Sequence, residues 1–293
     1  MKVLLLGSNG MLGQMIKRQL IDDGVDLYCV DKFEADYCFD LLNDKILEKC
    51  FNDVYPDIVI NTAAIVNLEE CESDPGRAYC LNARLPGILG SLCNEYKAYY
   101  VHISTDHYYC GDENKIHKES DPVRLPNEYA RTKYIGEQMA LLYRNVLVLR
   151  TNIVGFRGRG KQTFIEWVIS EFQNHKKMTL YTDFFTSSIH TVDFARILSD
   201  LLKIRPTGIY NLASSEVFSK KEFILALISI LYDCEPLYVV GSVNNMNGIR
   251  RGNSLGLDTT KIETLLGYHM PSLSETLLSI KREYLERETR NVL

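Results

Sequence analysis

Lys2-Val3-Leu4-Leu5-Leu6-Gly7-Ser8-Asn9-Gly10-Met11-Leu12-Gly13 decides the fold. Val3 to Leu6 are apolar without alternation, the pattern of a strand buried on both faces of a parallel sheet. Three glycines in GxxGxxG spacing follow at once, and a helical pattern begins inside them. Such a strand–turn–helix presents backbone N–H groups and a helix N-terminus to an anion, and side chains at the glycines would block the approach. A dinucleotide pyrophosphate fits that geometry. Gly7, Asn9, Gly10, Met11, Leu12 and Gly13 are therefore candidate cofactor-binding residues. The alternative is a plain turn capping a helix.

Working outward, buried-strand patterns recur at 26–30, 57–61, 99–104 and 146–150. Helical patterns lie between them at 11–21, 42–51, 78–96 and 129–143. Strand–helix alternation of this kind predicts an α/β fold with a doubly wound parallel (Rossmann) sheet. The later chain is less regular. It predicts helices at 162–175 (with the only tryptophan, Trp167), 191–202, 220–231 and 272–287, and a strand at 208–213. With no linker or repeat in sight, the expected organisation is a dinucleotide-binding Rossmann domain over 1–150 and 191–213. A smaller, interwoven C-terminal substrate lobe takes 151–190 and 214–293.

The 293 residues are 46% hydrophobic and 24% charged, with net charge −5 and pI near 5.8. A chain of this balance buries a substantial core and carries no basic field for nucleic acid or anionic membranes. No apolar run approaches the ~20 residues of a membrane span. The first residues hint at a signal peptide, but the apolar run meets Gly7 too soon, so they read as a strand. The eight cysteines form no CxxC pair and read as reduced thiols. A cytoplasmic protein is expected. The histidines show no metal-ligand spacing, so no catalytic metal is expected.

Asp31 closes the second strand, 18 positions after Gly13. A carboxylate there hydrogen-bonds an adenosine ribose and repels a 2′-phosphate, which favours NADH over NADPH. Lys32 beside it could offset that repulsion. Asp40 and Leu41 follow a third short strand and are candidates for the adenine side, with a helix N-cap the close second reading of Asp40. Tyr129 and Lys133 stand at i and i+4, on one face of a helix. A nearby cation favours a phenolate and lowers its pKa, the requirement for a tyrosine acting near neutral pH. Ser104-Thr105-Asp106 ends the preceding strand and brings a hydroxyl toward the same face.

Taken together these residues resemble the extended short-chain dehydrogenase/reductases, and within them the dTDP-4-dehydrorhamnose reductase group. Gly7–Gly13 resembles the cofactor loop, and Asn61-Thr62-Ala63-Ala64 the segment after the fourth strand. The stretch 69–83, with Asn82, resembles the family's next segment. Ser104-Thr105-Asp106, the Tyr129/Lys133 pair, Arg150-Thr151 and the Arg250–Asp258 region complete the likeness. The resemblance implies hydride transfer to C4 of a nucleotide-linked 4-keto-6-deoxy sugar, with Thr105, Tyr129 and Lys133 catalytic. It implies cofactor contacts at Ala63, Ala64 and Asn82, with Tyr129 and Lys133 shared. It implies substrate contacts at Thr105, Asp106, Asn152 and Arg250.

Three positions depart from the family pattern. Ile153 stands where a tryptophan is usual, Glu69-Glu70 replaces Asp-Lys, and Arg250-Arg251 replaces Arg-Pro. His107 follows Asp106 where the related dehydratases carry glutamate, which argues against dehydration; His107 itself reads as a packed or hydrogen-bonded residue. Arg157, Arg159 and Lys161, with Arg250 and Arg251, form a candidate diphosphate clamp or a solvated basic loop. Tyr108 and Tyr109 either line the pocket or pack. Helices 78–96 and 129–143 are a candidate homodimer face. Two other readings stay open on the same resemblance: a non-catalytic NADP-binding regulatory subunit like the β-subunit of methionine adenosyltransferase, and a nucleotide-sugar 4-epimerase.

Overall fold

The computed structural model describes residues 1–110, 116–158, 160–245 and 248–291, without the side chains of 290 and 291. The strands in the first half are β1 (Lys2–Leu6), β2 (Asp26–Asp31), β3 (Tyr37–Cys38), β4 (Ile58–Asn61), β5 (Tyr99–Ile103), β6 (Ile116–His117) and β7 (Val146–Arg150). They continue with β8 (Ile153–Val154), β9 (Met178–Tyr181), β10 (Phe185–Thr186), β11 (Ile189–His190), β12 (Gly208–Asn211), β13 (Phe218–Ser219), β14 (Tyr238–Gly241) and β15 (Ser254–Leu257).

The principal sheet has seven strands in the order β12-β7-β5-β4-β1-β2-β3. β1 pairs in parallel with β2 on one side and β4 on the other, and β2–β3, β4–β5 and β5–β7 are parallel too. The chain thus winds outward in both directions from β1. Between β1 and β4 the order reverses, and the crevice at the carboxyl ends of those strands is where such sheets bind ligands. The apolar runs read from sequence are these buried strands: Val3, Leu4, Leu5, Leu6, Val59, Tyr100 and Val148 have no solvent exposure or nearly none.

The helices of this part are α1 (Met11–Asp22), α2 (Asp44–Val54), α3 (Leu68–Ser73), α4 (Pro75–Tyr79), α5 (Leu85–Glu95) and α6 (Glu128–Ala140). Leu47, Phe51, Leu85 and Leu89 from α2 and α5 pack with Leu4, Leu6, Val59 and Val148 of the sheet in one core cluster. The helix expected over 78–96 passes through a π-helical turn, Cys80–Arg84, between α4 and α5. Buried Asn82 lies in that turn, and its side chain bonds residues far away in sequence.

The chain divides into two compact units. The first comprises Met1–Tyr108, Val123–Thr151 and Ala195–Tyr210; the second comprises Tyr109–Pro122, Asn152–Phe194 and Asn211–Leu293. Residues 109–122, read from sequence as part of the dinucleotide-binding domain, belong to the second unit, where β6 pairs with β15. That unit carries three small sheets, β13-β10-β15-β6, β11-β8 and β14-β9. Its helices include α7 (Phe164–Gln173), α9 (Lys220–Tyr232), α10 (Thr260–Leu266) and α11 (Leu273–Asn291), while α8 (Thr191–Ile204) crosses from one unit to the other. Capping boxes start α7 (Thr163 with Glu166) and α9 (Ser219 with Glu222). Ile165, Val168, Phe223, Leu227 and Ile280 close the second core.

Candidate functional site

The glycine loop leaves β1 at Leu6 and turns through Gly7, whose φ is +78°. The Gly7 N–H donates to Val30 O (2.9 Å), and the Gly10 N–H to Gly7 O (3.1 Å). A Cβ on Gly7 would stand 2.8 Å from Thr62 Oγ1 and 2.9 Å from Ala63 N, and a Cβ on Gly13 would stand 2.2 Å from Gly7 O. The loop is therefore packed backbone against backbone between β1, β4 and α1. Thr62 locks it by donating to Leu6 O (2.8 Å) and Gly7 O (3.0 Å). Gly10 is the N-cap of α1 and supplies no side-chain hydrogen bond to the first turn. The N-terminus of α1 thus keeps its N–H groups directed outward, as an anion site requires.

Asp31 ends β2 beside this loop. Its Oδ2 accepts the Asn9 N–H (2.9 Å) and its Oδ1 accepts the Lys32 N–H (2.7 Å). Asn9 reaches across with its amide to Phe33 O (2.5 Å). Asp31 and Asn9 so bind the two turns at the sheet edge to each other. Asp40 is not a helix cap; that role falls to Asn43, whose Oδ1 accepts the Ile46 N–H (3.3 Å). Asp40 instead pairs with Lys32 (3.2 Å) and accepts the Leu42 N–H (3.1 Å), and both interactions hold its carboxyl below the ordinary value. The side chains of Leu12 and Leu41 are buried. Leu41 belongs to the core cluster, and Ala63 packs against it.

Asn82 is wholly buried in the π-turn. Its Oδ1 accepts the Ile65 N–H (2.8 Å), and its Nδ2 donates to Ile65 O (2.9 Å) and Thr132 Oγ1 (3.2 Å). All its polar atoms thus serve the segment after β4 and helix α6. It shapes the strand end that carries Ala63 and Ala64.

Helix α6 carries Tyr129 and Lys133. Asn127 caps it by accepting the Ala130 N–H (2.9 Å), and Glu72 accepts the Glu128 N–H (2.9 Å). Both Tyr129 and Lys133 face inward, at 8% and 3% exposure. The Thr105 side chain neighbours the Tyr129 phenol and acts to lower it. Thr105 Oγ1 also accepts the His107 N–H (3.2 Å) and donates to Asp106 Oδ1 (3.4 Å). The Lys133 ammonium donates to Ile103 O (2.7 Å), at the end of β5. Thr105, Tyr129 and Lys133 therefore lie together at the carboxyl edge of the sheet.

Burial pushes the Tyr129 phenol above its usual value, and the Thr105 side chain pulls it back only partly. Burial also lowers Lys133 to about 8, against a smaller upward pull from Glu137. His107, expected to pack, lies edge-on to the Tyr129 ring at 5.4 Å between centroids. His102 is fully buried and held well below its ordinary value by burial and by Lys133.

Tyr108 and Tyr109 are packing residues. Tyr108 shares a hydrogen bond with Ser104 (2.9 Å), and Tyr109 stacks on His117 at 3.9 Å. Asn152 and Arg250 belong to the second unit. Asn152 Oδ1 accepts from Ser188 Oγ (2.7 Å), and its carbonyl accepts the Ile189 N–H (2.8 Å). Arg157, Lys161 and Arg250 are exposed; Arg159 lies outside the described residues. Among the described residues no cluster of His, Cys, Asp or Glu could hold a metal ion, and no helix is long and apolar enough to cross a membrane.

Two contributors escaped the sequence reading. Thr62 sits inside a segment read for its alanines. Glu137 repeats the i+4 step from Lys133, so extending the Tyr129–Lys133 count by one turn would have found it.

A parallel sheet with an anion-ready loop at its switch point, and a Tyr–Lys–Thr group at the same edge, defines a dinucleotide-binding protein of the short-chain reductase type. The chain belongs to the RmlD substrate binding domain family, whose model matches residues 1–285. It is 28% identical over 228 residues, 78% of each chain, to the spore coat polysaccharide biosynthesis protein SpsK of Bacillus subtilis. It is 25% identical over 295 residues to the probable low-salt glycan biosynthesis reductase Agl14 of Haloferax volcanii, covering 97% of this chain and 98% of that one. Among solved structures, dTDP-4-dehydrorhamnose reductase from Bacillus anthracis in complex with NADP superposes with a TM-score of 0.87 at 23% identity, covering 96% of this chain and 99% of that one.

Proposed function

We propose that this chain is an NAD(P)H-dependent reductase that converts a nucleotide-linked 4-keto-6-deoxy sugar to its 4-hydroxy form, in surface-polysaccharide or deoxysugar biosynthesis. The observation that carries the reading is the Thr105–Tyr129 contact with Lys133 one helical turn along, at the sheet edge that also holds the glycine loop. The names of the relatives, two of them in polysaccharide or glycan synthesis and one a dTDP-sugar reductase, support the same class.

The residues present fit a dinucleotide. Gly7 and Gly13 let the loop close tightly on the end of β4 and the start of α1, whose N-terminus carries no side-chain cap. Gly7–Gly13 would hold the pyrophosphate, Asp31 the adenosine ribose, Asp40 and Leu41 the adenine side, and Ala63 and Ala64 the strand-β4 side. The bound nicotinamide supplies the hydride. A phenol kept protonated by burial is the acid that an alkoxide oxygen needs, so Tyr129 donates its proton there. Thr105, beside the phenol, orients the carbonyl. Lys133 provides the positive charge that stabilises the phenolate left behind and holds the ribose beside it. Asp106, Asn152 and Arg250 are assigned to the sugar nucleotide, and Asp31 favours NADH.

The test is oxidation of NADH and NADPH at 340 nm against a panel of nucleotide-linked 4-keto-6-deoxy sugars. Turnover with one sugar, abolished to within ~10⁻² of wild type by Tyr129→Phe while cofactor binding survives, is expected. Full activity in Tyr129→Phe overturns the mechanism. Silence across the panel with cofactor still bound overturns the substrate class.

A further inference from the structure

Glu137 has no exposure at all. A carboxylate taken wholly out of water is tolerated only with excellent partners. Arg150 supplies them: its Nε lies 3.1 Å from Oε1 and 3.3 Å from Oε2, and its Nη2 lies 2.9 Å from Oε2. Ser104 Oγ donates to Oε1 at 2.6 Å. Arg150 is itself 2% exposed, and its guanidinium stands 5.1 Å from the Tyr108 ring centroid. The ends of β5 and β7 and the middle of α6 therefore converge on one carboxylate.

That convergence sits directly beneath the Tyr–Lys–Thr group. Ser104 is flanked by Ile103, whose carbonyl takes the Lys133 ammonium, and by Thr105, whose hydroxyl meets Tyr129. Tyr129, Lys133 and Glu137 succeed one another at four-residue steps, on one helix face. We propose that Glu137 is a positioning residue of this site: through Ser104 and Arg150 it fixes the Ile103–Thr105 segment against α6, and it supplies the counter-charge for buried Lys133 and Arg150. The catalytic half of the proposal rests on the reductase function proposed for this site; the charge half does not.

The groups around Lys133 show why one negative charge matters. His102 faces it from β5, Arg150 lies at the end of β7, and Tyr129 and Glu137 share its helix, with Asp106 next to the phenol. Among these, Glu137 is the group whose charge acts to keep Lys133 protonated, while burial acts to strip it. Arg150 without Glu137 would leave two positive groups in one buried cluster.

The experiment is a ¹³C NMR titration of Lys133, labelled at Cε and assigned by its loss in Lys133→Met, in wild type and in Glu137→Gln. The amide keeps the shape of the carboxylate and removes its charge. Lys133 is expected to titrate at least one pH unit lower in Glu137→Gln, and the high-pH limb of kcat is expected to move down with it. An unmoved Lys133 titration overturns the charge role, whether or not any sugar is turned over. Ser104→Ala keeps both charges and removes the 2.6 Å tie together with the Tyr108 hydrogen bond. It is expected to leave the Lys133 titration in place and lower kcat ~10-fold with KM little changed, because a small misplacement of reacting groups is costly. Unchanged kcat in Ser104→Ala overturns the positioning role. If Glu137→Gln does not fold, Glu137→Asp replaces it, with the charge kept and the carboxylate withdrawn. A wild-type Lys133 titration with lowered kcat is then the expected result, and wild-type kcat overturns the proposal. Absence of reductase activity in the wild type, with the titration shifted as stated, would refute the reductase reading alone.

Discussion

Gly136→Ala sets two effects of opposite sign against each other. On a free helix surface the change would stabilise by about 1 kcal/mol, because alanine loses less backbone entropy. In α6 the added Cβ would lie 2.1 Å from Asn82 O and 3.2 Å from Pro86 Cγ. Real Cβ atoms essentially never come within 3.0 Å of such a neighbour, so α6 and the π-turn must separate by about 0.9 Å. The obstacle is a main-chain carbonyl, which has no rotamer to adopt. The Asn82 side chain is also tied to Ile65 and to Thr132 of α6 itself, so the turn cannot simply withdraw. Overpacking costs ~1–3 kcal/mol, and a backbone clash belongs at the upper end. A net loss of about 2 kcal/mol remains, or ~4–8 °C in the midpoint of a domain of this size. Tyr129 and Lys133 ride the same helix, so a shift near 1 Å should lower kcat by ~10²-fold as well. Thermal unfolding by circular dichroism and the 340 nm assay measure both. A Gly136→Ala protein as stable as wild type, or more so, would show that helix propensity prevails and that the close approach constrains nothing.

Three further outcomes are expected. Asp40→Asn releases Lys32 from its 3.2 Å pairing and lets it face a 2′-phosphate beside Asp31; the NADPH/NADH ratio of kcat/KM should rise by up to ~5-fold, the scale of an exposed ion pair, and an unchanged ratio would remove Lys32 from cofactor choice. Lys133 is lowered by burial to about 8 in the folded chain but keeps an ordinary value near 10.4 when unfolded. Between those pH values the unfolded chain holds a proton the folded one has released, so stability rises with pH across that window. Urea unfolding at pH 8 and pH 10 should show this gain in wild type and not in Lys133→Met; parallel behaviour would refute it. Leu47→Ala removes a fully buried side chain of α2; a loss of ~2–5 kcal/mol at unchanged m-value is expected from denaturant curves, and a loss under 1 kcal/mol would mean that the site collapses to fill the cavity.

Much of the sheet was legible because its signals are local. A strand buried on both faces is a run of adjacent apolar residues, and the glycine turn and the start of α1 come within the next few positions. The order Gly7–Gly13, Asp31, Thr105, Tyr129, Lys133 could be read without knowing how the strands pair. The π-turn inside the helix expected over 78–96 was not legible, because Asn82 in it answers to Ile65 and Thr132, partners invisible to a local pattern. Of the two readings of Asp40, the helix N-cap falls away: Asn43 caps α2, while Asp40 accepts the Leu42 N–H and pairs with Lys32. Residues 109–122 fell into the second unit because β6 finds its partner in β15, far along the chain.

By itself, then, the sequence determined the alternating α/β pattern, the anion-ready turn and the identity of the Tyr–Lys–Thr group, since each is written in neighbouring residues or a single helical repeat. Tertiary structure alone decided how deeply that group is buried. Packing takes Tyr129 and Lys133 out of water together, which raises the phenol and lowers the lysine. It also placed Glu137, Arg150 and Ser104 in one buried cluster. Desolvation and long-range ion pairing depend on what surrounds a side chain in space, and no spacing along the chain encodes them.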